Sequence, residues 1–104
     1  MLNSNPPKEA ANELLKILRM DPQNFEALIK LSRAYIDLGD MIAESGSDWK
    51  ERRLKDYRTA EDYARRAIKA NPNSTWSYFY LGASLGLTAV VSPIARQVEL
   101  ADEI

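Results

Sequence analysis

Cysteine and histidine are both absent from the 104-residue chain. Their absence removes disulfide staples, thiolate zinc sites, the thiol nucleophile and the commonest general base. The carboxylates do not fill the gap. Glu61 and Asp62, or Asp102 and Glu103, are sequence neighbours, and adjacent residues on a helix point about 100° apart rather than into one acid–base site. No glycine-rich phosphate loop occurs. The residues therefore point away from an enzyme, and no catalytic, cofactor or metal site is assigned. Surplus positive charge is lacking too: 14 Lys and Arg stand against 15 Asp and Glu, net −1. Nucleic acid is accordingly not an expected partner, because phosphate-backbone binding needs a sustained positive field. No apolar run approaches the ~18 residues of a membrane span, and the start "MLNSNPPKEAANELLK" has no basic segment followed by an apolar stretch. Neither a membrane span nor a signal peptide is expected, which slightly favours the cytoplasm and leaves the compartment otherwise open.

Strand signals are also missing, since there is no Asn-Gly or Asp-Gly turn and apolar residues recur at three- and four-residue spacing. What is present fits an all-α domain spanning 1–104. Apolar residues make up 45% and charged residues 28%, near globular averages, and a chain of this length buries somewhat over ~60% of its unfolded surface. The punctuation predicts five helices near 7–19, 24–44, 48–70, 74–91 and 93–104, the second and third antiparallel and longest. Leu28, Leu31, Tyr35 and Leu38, with Phe25, Ile29 and Ile36 alongside, cover roughly 220° of the second helix, so it is expected to pack on two sides. "SGSD" at 45–48 reads as a tight turn, with Asp48 and Glu51 spaced as in a capping box. Tyr57, Ala60, Ala64, Ala67 and Ile68 form the inward face of the third helix. The fourth is apolar nearly all round. Ser92 and Pro93 open a fifth that meets no stop signal before Ile104, so the domain is expected to be part of a longer array.

One phrase is written twice. "DPQNFEALIKLS" (21–32) returns fifty positions later as "NPNSTWSYFYLG" (71–82). Leu28, Leu31, Ser32 and Tyr35, followed by Ala60, Ala64, Ala67 and Pro72, resemble the tetratricopeptide repeat, with Ala10, Leu14, Ile17 and Pro22 as half of an earlier unit and Tyr78, Leu81, Gly82 and Leu85 as half of a later one. The chain departs from the family pattern where Leu28 and Tyr78 stand for Trp, Ser32 for Gly, and Leu85 for Tyr. A standard repeat is about 34 residues, so about 16 are extra. Shared between two helices they would lengthen each by about two turns and make the middle hairpin protrude. Such long hairpins are similar to the tetratricopeptide domains of the regulator-of-microtubule-dynamics type; that likeness implies no microtubule role here.

The resemblance implies a superhelix of stacked hairpins whose first helices line a concave groove. By the family pattern the lining residues are Glu26, Ile29, Arg33 and Ile36 from one unit and Trp76, Phe79, Ala83 and Gly86 from the next. An apolar groove of this kind suits a protein or peptide partner, with Trp76 and Phe79 as anchors. A Lys and Asn clamp for a C-terminal carboxylate is not seen, Arg33 alone supplying charge. The competing reading is a structural or oligomerisation segment, its groove filled by the parent chain or a second copy. Two large aromatics left in water would each forgo roughly 1.5–3 kcal/mol, so some cover over Trp76 and Phe79 is expected. "KERRLK" (50–55) reads as a solvated helix face. "NST" (73–75) matches a glycosylation sequon, but Ser74 as a helix cap explains it better.

Overall fold

The computed structural model describes residues 5–92, which form four α-helices and, among these residues, no strand: α1 (Pro6–Met20), α2 (Phe25–Asp40), α3 (Trp49–Ala70) and α4 (Thr75–Val91). The fifth helix expected at 93–104 lies outside the described residues. α1 starts on two prolines, whose missing N–H groups cost nothing in a first turn. The Asn5 side chain accepts from the Lys8 N–H at 3.3 Å. Asn24 caps α2 in the same way, accepting from the Ala27 N–H at 2.9 Å.

The two copies of the repeated phrase make the same turn. Asp21 (φ −141°, ψ 83°) and Asn71 (φ −149°, ψ 89°) end α1 and α3 in matching conformations. Each donates its N–H to the carbonyl four residues back, on Ile17 and Ala67, at 2.9 Å. Each also accepts from the N–H three residues on, of Asn24 and Ser74. The side-chain cap differs: Ser74 occupies the N-cap position of α4 as expected but makes no side-chain cap bond, and its carbonyl accepts from the Ser77 hydroxyl.

α2 is the centre of the molecule. It touches α1, α3 and α4, most extensively α3, as its broad apolar arc requires. Leu28, Leu31, Ala27 and Ala34 of α2 are buried with Ala11 and Leu18 of α1 and Ala67 of α3. Hydrogen bonds run from Arg66 to the Pro22 carbonyl, from the buried Ser32 hydroxyl to the Ala60 carbonyl, and from the Tyr57 hydroxyl to Asp40. The partner number falls as the residue number rises, so α2 and α3 are antiparallel. Tyr57, Ala60, Ala64 and Ala67 are all buried as expected, while Ile68 is half-buried.

Four expectations are corrected. α2 ends at Asp40 rather than near 44, and residues 41–48 are a loop. The extra residues of the middle hairpin thus enter this loop and α3, which has 22 residues, rather than dividing equally with α2, which has 16 and is shorter than the 17-residue α4. The cause is local. Gly39 lies beneath the Tyr57 ring, Gly46 adopts a left-handed φ of +81°, and Arg53 reaches back to hold the Ile42 carbonyl at 2.6 and 3.0 Å and Glu44 at 3.3 Å. The capping box is also absent, since Asp48 makes no side-chain cap bond and approaches Arg52 at 3.9 Å. Finally, Arg53 is not on a solvated face: its guanidinium packs over the Trp49 ring at 5.0 Å.

Candidate binding surface

α4 carries its bulk outward. Its buried residues include the small, polar Ser77, Ser84 and Thr88, whose hydroxyls donate to carbonyls of the preceding turn at 3.2, 3.0 and 2.7 Å and so hide without an unmet donor. The apolar pattern of α4 gave no hint of this, because it marks large residues, and of those only Leu85 and Val91 are buried beside these three small ones. Trp76 and Phe79 are consequently 60% exposed each, with Tyr78 and Val90 exposed as well. The rings support one another. Trp76 meets Phe79 edge-on at 6.1 Å and stacks on Tyr80 at 6.3 Å, and Phe79 meets Tyr80 edge-on at 5.2 Å.

Between this cluster and α2 lies a cleft of about 280 Å³ lined by Ile29, Lys30, Arg33, Trp76 and Tyr80. Of the residues expected to share a groove, Ile29, Arg33 and Trp76 are brought together. Phe79 joins through the aromatic cluster rather than the cleft wall, and Ile36, Ala83 and Gly86 are outside the cleft lining. Glu26 is exposed and bonded to Lys30 at 2.7 Å, which lowers its carboxyl below the usual range chiefly through that hydrogen bond. The cover expected over Trp76 and Phe79 is not supplied by the described residues beyond the cleft itself. Sequence reasoning missed Tyr80 and Lys30. Tyr80 lies four residues after Trp76, on the same helix face, and that spacing could have included it.

A second cleft of about 500 Å³ lies between α1 and α2, with Pro7, Ala10 and Leu14 from α1 and Arg33, Ala34 and Asp37 from α2 among its lining. Arg33 lines both clefts. It has no side-chain partner among the described residues, whereas Lys30 is engaged by Glu26. Among these residues no group of His, Cys, Asp and Glu is placed to hold a metal ion, and no helix is long and apolar enough to cross a membrane.

Packed helices joined by short turns, with an aromatic face left open beside a cleft, define an all-α helical protein whose accessible features are surfaces rather than an enclosed pocket. The family described as Regulator of microtubule dynamics protein 1-3 matches residues 2–104, and the chain belongs to that family. Comparison with curated proteins and with solved structures finds no match.

Proposed function

We propose that the chain is a protein-interaction scaffold of tetratricopeptide type, holding a helix or extended segment of a protein partner across α2 and α4. The observation that carries the reading is the aromatic cluster. Trp76 and Phe79 stand 60% exposed on a regular helix, next to a cleft whose other wall offers Ile29 and the uncommitted Arg33. Large aromatics beside an Arg are the residues that dominate protein interfaces. The matching backbone turns at 21–24 and 71–74 support stacked, repeated hairpins as the scaffold. Ile36 and Ala83 are assigned to the same surface from the family pattern alone, and no catalysis is part of the proposal.

The test is a titration. A segment captured from the native cell is resynthesised as a peptide and measured against the wild-type chain and a Trp76→Ala, Phe79→Ala double variant. A loss of about tenfold or more is expected, since hot-spot aromatics each contribute more than about 1.4 kcal/mol. Equal affinities overturn the proposal. A second reading, a structural segment covered by its parent chain or a second copy, is favoured by one further observation: Tyr78 and Val90 are also exposed, away from the cleft. Light scattering separates the two, because self-cover yields a dimer, or a monomer whose aromatic face is closed by the adjoining sequence.

A further inference from the structure

The fifty-residue echo relates α1 to α3 as well as α2 to α4, and it exposes a difference between the first pair. On α3 the face formed by Tyr57, Ala60, Ala64 and Ala67 is at most 2% exposed, because α2 lies along it. The equivalent positions on α1 are Pro7, Ala10, Leu14 and Ile17. There Ala10 is exposed, Ile17 is 44% exposed, and Pro7 and Leu14 are half-buried. The other faces do correspond: α2 buries Ala27 and Ala34 where α4 buries Ser77 and Ser84. So α3 is covered on two sides and α1, among the described residues, on one.

We propose that this open face of α1, with the 500 Å³ cleft it shares with α2, is a docking site for an amphipathic helix of a partner protein, lying on α1 as α2 lies on α3. The molecule contains a filled copy of the site, and the filled copy states the chemistry of the occupant. It is a helix. Leu14 and Ile17 stand where α3 has Ala64 and Ala67, so a close-packed occupant carries small residues opposite them, where α2 brings bulk to α3. The charges at the cleft add a second constraint. Glu13 is paired with Lys16 and Lys30 with Glu26, leaving Arg33 and Asp37, one helical turn apart, without side-chain partners among the described residues. A carboxylate and a cation one turn apart on the occupant complement them.

The probe is a fluorescein-labelled synthetic helix of about 20 residues with an Ala and Ser stripe and one Glu–Lys pair four residues apart, titrated with the chain by anisotropy. Saturable binding is expected. Ala10→Glu, at an exposed helical position, should weaken it about tenfold or more, and Ile17→Lys should do the same if the first variant folds poorly. Asp37→Lys should weaken it roughly threefold to tenfold, with recovery when the peptide's Lys becomes Glu. Trp76→Ala should leave it unchanged, which separates this site from the aromatic cleft. The proposal is overturned by a lack of saturable binding, by binding indifferent to Ala10→Glu, or by a dimer that Ala10→Glu dissolves, since the last assigns the face to a second copy.

Discussion

Replacing Gly39 by alanine tests how α2 and α3 are fitted together. In an unconstrained helix interior the change stabilises by about 1 kcal/mol, through lower backbone entropy in the unfolded chain. Here a Cβ would stand 2.5, 2.9 and 3.1 Å from Cε1, Cδ1 and Cζ of Tyr57. That ring is 2% exposed, and its hydroxyl donates to Asp40 at 2.6 Å. Moving it means overpacking, about 1–3 kcal/mol, and loss of a hydrogen bond to a carboxylate, about 1.5–3 kcal/mol. After the propensity gain of about 1 kcal/mol the net loss is about 1.5–5 kcal/mol, or a fall in Tm of roughly 10 °C or more for a domain of this size. Gly82 and Gly86 of α4 have nothing within 4 Å of such a Cβ, so Gly82→Ala should stabilise by up to about 1 kcal/mol. Urea unfolding followed by helical circular dichroism measures both. A Gly39→Ala protein as stable as wild type, or more so, refutes the packing described.

Ser32→Ala removes the buried hydroxyl that bonds the Ala60 carbonyl at 2.8 Å and should cost about 1 kcal/mol by the same unfolding assay. Burial, and then the Asp40 carboxylate, hold the Tyr57 hydroxyl well above its ordinary 10.0. The fold favours the neutral phenol, so this stabilisation is complete below pH 10 and is lost as pH rises beyond it. Urea midpoints at about pH 8 and about pH 11 should therefore converge in Tyr57→Phe relative to wild type. Arg53→Ala frees the Ile42 carbonyl from its two hydrogen bonds, and amide hydrogen exchange in residues 41–44 should accelerate while that of the buried α2 positions stays slow.

Helical periodicity and end signals made α1, α3 and α4 legible to within a residue or two, because each is bounded by Pro, Asn or Asp in turns that the repeated phrase writes twice. The end of α2 was not legible. It depends on Gly39 meeting a Tyr57 ring eighteen residues away and on Arg53 gripping the Ile42 carbonyl, and neither contact leaves a local pattern. The candidate surface was read in part: Ile29, Arg33 and Trp76 converge as the family spacing implied, while Phe79 stands beside the cleft and Tyr80 takes its place in the wall. That shift follows from the buried stripe of α4 including Ser77, Ser84 and Thr88 with Leu85, and not Trp76 or Phe79. Hydropathy gives Ser and Thr no reason to lie inside, since it cannot register that each hydroxyl bonds its own helix.

The most direct test of the interaction surface places a photo-crosslinking benzoylphenylalanine at Phe79 in the native cell and maps the joined peptides by mass spectrometry. The same label at Met20, 91% exposed on α1, serves as the control. The proposed function predicts adducts from position 79 with one apolar segment of another protein, lost in an Ile29→Asp background and not formed from position 20. Adducts confined to the chain itself or to a second copy, or equal and scattered labelling from both positions, would contradict it.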